Sequence, residues 1–468
     1  MRREEGRSQG PTRALAEFAA QTRFEDLPGP LVAKLKELVL DTLGCGLFGA
    51  TTPAGQRLAR VLVRGGVGRY PLWGTPLRAP LAQSALANGT FVHAFDYDDQ
   101  CLDGALHSGS ATLPAALAAA RDRGVGGRGL LAALAAGCEV GIRAGVAAGK
   151  SPLRRGWHLA GWTGAIAAAA AAGSALGLDA EAMEQALGCA ATQGCGLMAA
   201  QYGADAKRLH MGKAAEAGLL GALLAAEGFS GIRRVLEVEY GGYGSALSDD
   251  FRPEKLVSGL GREWRIREKV CFKPFPGVIM LHAPVAAVEA LLAEGPFRAD
   301  EVAEMEVGVS EQARAHVGWE YRPAGPMAAQ ASIQYALARR LLDGPLGVDA
   351  FREEKLAEPE LLALARRIRV VVDPGIEATD YADPRNWGAG LRVRLRSGRL
   401  REALAPIPKG FPQNPLSAEE LVAKYREQTL RALPPERVEK VLEAVESFEE
   451  LPDVDALGEL LQAPTPLP

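Results

Sequence analysis

An uncharged run of nineteen residues, 160–178, places the strongest constraint on how this chain folds. Its length approaches that of a membrane-spanning helix. The run consists mostly of Ala and Gly, however, which are only weakly apolar, and Arg155 and His158 stand at its entry. Small residues let helices approach one another backbone to backbone. The run therefore predicts a buried, closely packed helix rather than a membrane span.

The first part of the chain has the pattern of helices joined by short loops over about 260 residues. Apolar residues recur at the i, i+4, i+7 and i+8 spacing of an amphipathic helix, at Leu31, Leu35, Leu38, Val39 and Leu43. Asp179 has the position of an N-cap, and Gly228 that of a residue that ends a helix. This part predicts a large, mainly α-helical domain.

The pattern changes near Trp264, where period-two alternation begins. Apolar side chains share one face in three segments: Met305, Val307 and Val309; Ile368, Val370 and Val372; and Leu391, Val393 and Leu395. Such alternation is typical of half-buried strands. Helical patterns lie near residues 281–293 and 327–342, and they return after Pro412 at 416–433 and 435–448. We therefore expect a helical domain of residues 1–263 and 412–468, interrupted by a smaller α+β domain of residues 264–411.

Length and composition favour a soluble protein of two domains. A chain of 468 residues is long for one compact core. Its net charge of −4 arises from 53 basic and 57 acidic residues, so nothing demands nucleic acid or an anionic membrane as a partner. The six cysteines include no CxxC pair, which argues against iron–sulfur and structural zinc sites. The charged first residues lack the apolar core of a signal peptide, so we expect a cytoplasmic protein.

The densest group of polar residues lies in the segment from Asn88 to Pro114. Residues 93–107 hold two of the six histidines and four aspartates: His93, His107, Asp96, Asp98, Asp99 and Asp103. Polar density in an apolar chain marks a candidate site of acid–base chemistry. Together with a family resemblance of the surrounding segments, this density leads us to expect that Asp96 and His107 are functional, that Asp98 and His93 support them, and that the other two aspartates are solvated loop charges. The alternative is a set of caps, surface charges and structural histidines.

The local pattern also predicts how these residues are held. A helix that begins near Leu81 and continues to Asp96 would place His93 and Asp96 one turn apart on one face. His107 would then lie in a loop before the next helix, which Ser110 or Thr112 could cap. A histidine at a helix N-terminus is well placed beside an anion site.

Three further segments combine histidine with basic residues. His158 stands at the start of the uncharged helix. Lys207, His210 and Lys213 recur every three residues, so they share roughly one helical face that would suit carboxylates. Lys273 lies in a Lys-Pro-Phe-Pro segment, whose stiffness could aim the lysine into a cleft between the domains. Each has a structural alternative: a histidine bonded to a loop carbonyl, a solvated basic face, and a linker turn.

Several common catalytic templates are absent from the sequence. It contains no HExxH, no P-loop, no GxSxG, and no GxGxxG after a predicted strand. Asp96, Asp98 and His107 could in principle hold a metal, but they lack the Gly and Glu spacing of an EF-hand. We therefore expect no metal site. His316 stands apart from the polar segments.

These segments, in this order, resemble the MmgE/PrpD family. The resembling sequence includes NGTFVHAFDYDD, GWHLAGWTGA, KRLHMGKAAEAG, KPFPGVIMLH and AAQASIQYALARRLLDG, spread over about Asn88 to Gly344. The resemblance implies a large all-helical domain with an inserted smaller α+β lid domain, usually as a homodimer, and an active site between the domains. It also implies cofactor-free proton transfer at carbon next to a carboxylate, in small di- or tricarboxylates.

The resemblance implies roles for individual residues. Asp96 resembles the aspartate of the family's DYDD-type motif, and His107 resembles its loop histidine. His158 matches a GFH-type motif, Lys207 and His210 match the KxLH pair, and Lys273 matches the KPYP lysine. The implied catalytic residues are therefore Asp96, which would orient a histidine, His107 or His158 as general acid/base, Lys207, and Tyr321, which is similar in place to an active-site tyrosine. The implied ligands of substrate carboxylates are Gln100, His210, Lys273 and Lys213.

The sequence departs from the family pattern at a few positions. Gln100 stands where many members have Thr, and Val278 and Ile279 replace a Cys and a basic or polar residue. We expect such changes to alter which carboxylate is recognised. The leading hypothesis is a cofactor-independent, 2-methylcitrate dehydratase-like lyase. The alternatives are a cis-aconitate-type decarboxylase, an iminodisuccinate-type epimerase, a non-catalytic carboxylate-binding protein, and a metal-dependent hydrolase or lyase.

Overall fold

The computed structural model describes residues 10–66, 68–379 and 383–464, and its fold is mainly α-helical. Helices of the first part of the chain are α1 Pro11–Gln21, α2 Gly29–Thr51, α3 Pro53–Leu62, α4 Leu81–Val92, α5 Ser108–Arg123, α6 Gly127–Ala148, α7 Ser151–Arg154, α8 Leu159–Leu176, α9 Ala180–Ala191, α10 Ala206–Ala226, α11 Tyr243–Leu247, α12 Glu254–Val257 and α13 Arg265–Lys269. Those of the middle part are α14 His282–Glu294, α15 Glu311–Val317, α16 Pro326–Gln330, α17 Ile333–Asp343, α18 Pro359–Ala365 and α19 Pro374–Glu377. The last are α20 Ala418–Thr429, α21 Pro435–Glu446 and α22 Asp455–Leu460.

Helix α8 is the helix predicted from the uncharged run, and it is buried among α5, α6, α9 and α10. Both α6 and α8 are long and apolar enough to cross a membrane by length and composition alone. In each, however, most of the apolar stretch is buried inside the protein, 94% in α6 and 89% in α8. The prediction of a buried, closely packed helix is therefore confirmed.

Glycines allow the helices of this core to approach one another closely. A Cβ atom added at Gly218 of α10 would lie 2.3 Å from the Cβ of Ala168 on α8, and one at Gly212 would lie 2.0 Å from Oγ1 of Thr90 on α4. Neither distance leaves room for a side chain. The close packing of α10 on α4 brings the first turn of α10 next to the loop that follows α4.

Short and long strands form separate sheets. The strands are β1 Tyr70–Pro71, β2 Arg78–Ala79, β3 Gln100–Cys101, β4 Val270–Cys271, β5 Val302–Val309, β6 Ile368–Val372, β7 Ala389–Leu395 and β8 Leu400–Ala405. The four-stranded sheet has the order β6-β5-β7-β8, with β5 and β6 parallel and the other pairs antiparallel. Met305 on β5 stands opposite Ile368 on β6 and Val393 on β7, so the predicted apolar faces share one side of the sheet. The three predicted strands are confirmed, whereas β8 escaped the sequence analysis.

Buried side chains form two large hydrophobic cores. The first includes residues of most helices from α1 to α13 and also of α20 to α22, such as Tyr425 and Val441. The second includes the four-stranded sheet and the helices packed on it, with Tyr335 and Phe351 among its largest residues. The last helices thus contribute to the first core, while the division into a domain of residues 1–263 and 412–468 and a domain of residues 264–411 stays a prediction. The antiparallel pair β3–β4 lies where the two cores meet.

Candidate active site

The loop between α4 and α5 holds most of the polar cluster. Helix α4 ends at Val92 rather than continuing to Asp96, so the predicted helical pairing of His93 with Asp96 is wrong. Asp96 has a φ of 53°, a left-handed conformation that residues other than glycine rarely adopt. Its carbonyl accepts hydrogen bonds from the backbone N–H of Gly277 at 2.9 Å and from Nζ of Lys273 at 3.0 Å. These bonds hold the strained residue in place.

The Asp96 carboxylate lies among three cationic side chains. Its oxygens are 2.7 Å from Nζ of Lys207, 2.6 Å from Nζ of Lys273 and 3.6 Å from Nη1 of Arg208. Burial disfavours the charged carboxylate, but the two ammonium groups outweigh it and hold the pKa of Asp96 well below its usual range. The carboxylate is therefore ionised, and its oxygens are paired with cationic side chains rather than with a histidine. The expectation that Asp96 orients a histidine is wrong for this reason.

Asp98 is the carboxylate that contacts histidines. Its Oδ2 lies 3.0 Å from Nδ1 of His93 and 3.1 Å from Nδ1 of His107. Burial opposes its charge, yet His107 and His93 together hold the pKa of Asp98 well below the usual value. Burial lowers the pKa of His93 to about 3, so that ring is neutral. The imidazole of His107 also shares its Nδ1 with the carbonyl of Asp99 at 2.7 Å, which leaves Nε2 for other partners.

The remaining aspartates of the cluster are not solvated, contrary to expectation. The carboxyl group of Asp99 accepts hydrogen bonds from the backbone N–H groups of Ser108 and Gly109, each at 2.8 Å. It thereby caps α5, so the predicted cap by Ser110 or Thr112 is also wrong. Burial raises the pKa of Asp99 to about 7. Asp103 is partly buried and lies 3.4 Å from Nζ of Lys269.

His158 and His210 form a directly bonded pair. Their Nδ1 atoms are 3.0 Å apart, so one ring must donate its proton to the other. Burial lowers the pKa of His158 well below its usual value and that of His210 to about 4, so both rings are neutral at pH 7. Because they share one Nδ1 proton, the tautomer of His210 fixes the tautomer of His158.

These groups surround a cavity of about 80 Å³. Its lining combines polar and apolar side chains: Asp96, Gln100, Leu102, Ala105, His107, Leu153, His158, Leu159, Ala160, Met198, Lys207, Val278, Ile279, Met280, Gln312, His316 and Trp387. A second cavity of about 590 Å³ adjoins it, with Leu153, Met198, Gln312 and His316 common to both. Exposed residues such as Arg154 and Glu311 line the second cavity, so it leads from the surface to the buried groups. We refer to these as the inner and the outer cavity.

Five of the nine residues expected at the site line the inner cavity: Asp96, Gln100, His107, His158 and Lys207. Two more lie directly behind this lining. His210 is bonded to His158, and Lys273 is bonded to Asp96. These two were expected to bind substrate carboxylates, but Nδ1 of His210 and Nζ of Lys273 contact other side chains of the site.

Two expected residues lie away from the cavity. Lys213 pairs with Glu216, and its side chain is 43% exposed. The three-residue spacing drifts by about 60° per step around a helix, so Lys213 is turned far from Lys207. Tyr321 belongs to the second core, where its hydroxyl donates to the carbonyl of Leu356 at 3.0 Å. The structure therefore does not bring Lys213 and Tyr321 to the inner cavity.

The sequence analysis also missed residues that build the site. His316, at the end of α15, lines both cavities, and burial lowers its pKa to about 4. Arg208 bridges Asp96 to the side-chain oxygen of Gln330, which lies 2.5 Å from its Nη2. Gln330 in turn donates to the carbonyl of Phe95 at 2.9 Å. Arg208 and Gln330 lie within the family motifs but have no assigned role there, and no motif marks His316, which reaches the site only through the tertiary fold.

Among the described residues, one group could hold a metal ion. Ring nitrogens of His93, His107 and His158 all lie within 4.8 Å of one another. This differs from the set considered from the sequence, because Asp96 and Asp98 are engaged by cations and histidines. Nζ of Lys207 lies 3.2 Å from Nε2 of His93, and its positive charge opposes a cation at this point. The donor set would suit Zn²⁺ by type, but the adjacent ammonium disfavours it.

Comparisons with known proteins place these features in a family. The MmgE/PrpD N-terminal domain matches residues 13–255, and the MmgE/PrpD C-terminal domain matches residues 275–450. Over 98% of its length the chain is 32% identical to a cis-aconitate decarboxylase of Aspergillus terreus, of which it covers 97%. It is 29% identical to the Homo sapiens cis-aconitate decarboxylase, covering 93% of this chain and 91% of that protein. It is 26% identical to a 2-methylcitrate dehydratase of Cupriavidus necator, covering 90% of this chain and 91% of that protein.

Proposed function

Because this chain belongs to the MmgE/PrpD family, we propose that it is a lyase that decarboxylates a small unsaturated polycarboxylate with its own side chains alone. The observation that carries the proposal is the inner cavity itself. There an ammonium group, Lys207, lies near a histidine, His107, that is bonded to a buried, ionised carboxylate, Asp98. An anion-binding group beside a positioned proton donor is what proton transfer next to a carboxylate needs.

The relatives favour decarboxylation over dehydration. The sequence alone suggested a 2-methylcitrate dehydratase-like reaction first and a cis-aconitate-type decarboxylase as an alternative. The relatives named cis-aconitate decarboxylase are up to 32% identical, whereas those named 2-methylcitrate dehydratase are 25% and 26% identical. Both reactions are lyase reactions of the same family. Compared with the dehydratase hypothesis, the present proposal differs in which bond breaks, but it keeps proton transfer at a carbon next to a carboxylate.

The proposed reaction needs one proton and no redox partner. The leaving carboxylate is attached to a CH₂ group that is itself bonded to a C=C bond. The C–C bond between this CH₂ group and the carboxylate breaks, and CO₂ departs. The freed electron pair forms a new C=C bond, and the electrons of the old one take up a proton at the far carbon. The enzyme must therefore bind the remaining carboxylates and deliver a proton to one carbon.

His107 is the proposed proton donor. The ionised carboxylate of Asp98 lies 3.1 Å from its Nδ1, which stabilises a protonated ring, and the bonds at Nδ1 leave Nε2 to face the cavity. His158 is a neutral ring in the same wall, with its tautomer set by His210. In this assignment His107 is the general acid, and His158 is a neutral hydrogen-bonding partner.

Lys207 is the proposed ligand of a substrate carboxylate. Its ammonium group lines the cavity and is held by Asp96, which Lys273 and Arg208 secure from behind. A charge-assisted hydrogen bond of this type contributes roughly 1.5–3 kcal/mol. Lys273 acts through Asp96 in this proposal and does not bind substrate itself.

Proton NMR in D₂O tests the proposal. The protein is incubated with cis-aconitate, citrate, 2-methylcitrate and iminodisuccinate in turn. We expect loss of CO₂ from an unsaturated acid, with deuterium in the product, and no such product from the His107→Ala variant. Dehydration of 2-methylcitrate alone would contradict the preference for decarboxylation. Thermal stabilisation by these acids without turnover would instead support a carboxylate-binding protein.

The three clustered histidines define a second candidate, a metal-dependent lyase, which the neighbouring Lys207 ammonium group opposes. His93, His107 and His158 would be its ligands. Stoichiometric zinc in the purified protein, together with loss of activity in a chelator and its recovery on adding zinc, would favour this candidate. Unchanged activity in the chelator favours the proposal above.

The wider setting follows from the family resemblance. We propose that the part of the chain around the second core acts as a lid, since Val278, Ile279 and Met280 line the inner cavity opposite residues of the first core. We also propose that the protein is a homodimer and that it is located in the cytoplasm. Size-exclusion chromatography with light scattering tests the dimer, and fractionation of cells that express the protein tests its location.

A further inference from the structure

Three consecutive apolar residues form one wall of the inner cavity. Val278, Ile279 and Met280 all line it, and they keep 8%, 5% and 7% of their surface exposed. Leu102 and Trp387 line it as well. Apolar side chains that face a ligand cavity favour apolar groups of the ligand, because both lose contact with water on binding.

The position of this wall is fixed relative to the charged groups. The backbone N–H of Gly277 donates to the carbonyl of Asp96, and that of Val278 donates to the carbonyl of Gln330 at 2.8 Å. Asp96 also binds Lys207. Asp96 therefore holds both the ammonium group of Lys207 and the backbone at the start of the apolar wall, so the two cannot move far independently of each other.

The cavity offers little charge for three carboxylates. Among the described residues that line it, Lys207 carries the one ammonium group, and His107, the proposed proton donor, is the other side chain that would carry a positive charge. The rings of His158 and His316 are neutral. In the outer cavity Lys150 and Arg154 are accompanied by Glu311 and Glu377. A third carboxylate against the apolar wall would be desolvated without a cation, which is costly.

We infer that the preferred substrate is an unsaturated dicarboxylate that carries an alkyl group in place of the third carboxylate of cis-aconitate. The chemical class is the 2-alkylidenesuccinates, in which the alkyl group lies against Val278, Ile279 and Met280. The inference rests on the proposed function, since it narrows the substrate of the same site.

The reaction of such a substrate balances in the proposed way. The CH₂–COO⁻ bond breaks, CO₂ leaves, and its electron pair forms a C=C bond between the CH₂ carbon and the central carbon. The old C=C bond takes a proton at the carbon that bears the alkyl group. A 2-alkylidenesuccinate thus yields CO₂ and a 2-substituted acrylate, and no oxidant or second substrate is needed.

Competition between two acids tests the inference. The kcat/KM of the full-length protein is measured for 2-butylidenesuccinate and for cis-aconitate by CO₂ release. An apolar pocket discriminates roughly 10- to 200-fold per methylene group, so we expect at least a tenfold preference for the alkylidene acid. An equal or higher value for cis-aconitate would overturn the inference and leave the proposed function intact. CO₂ from neither acid, nor from the other polycarboxylates above, would overturn both.

A pair of variants tests whether the wall is the source of the preference. Ile279→Gln puts an amide into the wall and should reduce the preference at least tenfold, whereas Ile279→Leu keeps the wall apolar and should preserve it. Circular dichroism and the Tm establish that each variant is folded. Val278→Thr, which nearly keeps the shape of the side chain, replaces Ile279→Gln if the latter fails to fold. A folded polar variant with an unchanged preference would overturn the inference.

Discussion

The Asp98→Asn substitution tests the electrostatic core of the proposed site. Asp98 is fully buried and accepts from two rings, with Oδ2 3.0 Å from Nδ1 of His93 and 3.1 Å from Nδ1 of His107. Asparagine keeps the shape but removes the charge, and its NH₂ group cannot accept a hydrogen bond. A protonated His107 would lose the partner that stabilises it.

The size of the effect follows from the number of bonds. A hydrogen bond to a charged group contributes about 1.5–3 kcal/mol, so two such bonds contribute about 3–6 kcal/mol. Since about 1.4 kcal/mol corresponds to a factor of ten, kcat should fall roughly 10²- to 10⁴-fold. General acid catalysis typically contributes about the same factor. KM should change little, because Lys207 and its partner Asp96 are untouched.

The assay is steady-state CO₂ release across pH, with the Tm measured in parallel. Asp103→Asn is the matched control, because Asp103 lies in the same loop, pairs with Lys269 and does not line the inner cavity. We expect that control to stay within threefold of the native kcat. A folded Asp98→Asn variant with kcat within threefold of the native value would refute the assignment of His107 and Asp98.

Three further predictions follow from the positions of single side chains. Lys207→Met should lower kcat/KM roughly 10- to 150-fold, because the charge-assisted bond to the substrate carboxylate is lost. Lys213→Met is the control and should have no effect, since the side chain of Lys213 is 43% exposed. Equal losses in the two variants would contradict the assignment of Lys207. Tyr321→Phe should leave kcat unchanged but destabilise the protein by about 1–2 kcal/mol in thermal unfolding, because the carbonyl of Leu356 loses its hydrogen-bond donor. A large fall in kcat would instead indicate that Tyr321 acts in catalysis. The pKa of His316 is about 4 when folded and about 6.5 when unfolded, so the unfolded chain binds more protons between these values and stability falls as pH drops through this range, by up to about 3 kcal/mol. His316→Gln should therefore flatten the fall in Tm between pH 6.5 and 4, and an unaltered fall would contradict the lowered pKa.

Periodicity predicted the elements of the fold well, because burial imposes it locally. The uncharged run became α8, and the alternating segments became β5, β6 and β7. Boundaries were less predictable. The helix expected over residues 327–342 is divided after Gln330, since Ser332 caps a new helix by accepting from the backbone N–H of Tyr335. Such a cap competes with continuation of the helix, and the apolar pattern alone does not show which one prevails.

The family motifs predicted which segments meet, but not which atoms bond. Asp96 and Asp98 are two residues apart, but Asp96 contacts the lysines and Asp98 contacts the histidines, and the motif does not show that the backbone at Asp96 is left-handed. Asp99 looked like a solvated charge and is a buried cap. His316 reaches the cavity from another part of the chain. These assignments depend on long-range packing, which a local pattern does not contain.

The origin of the product proton tests the central claim most directly. The native protein and the His107→Ala variant are incubated in D₂O with cis-aconitate and with 2-butylidenesuccinate, and CO₂ and the product are followed by mass spectrometry and proton NMR. The proposal predicts one deuterium per product, at the carbon next to the new C=C bond that was the far end of the old one, and loss of turnover in a variant that keeps its native Tm. Near-normal turnover by folded His107→Ala, with deuterium still delivered to that carbon, would contradict it.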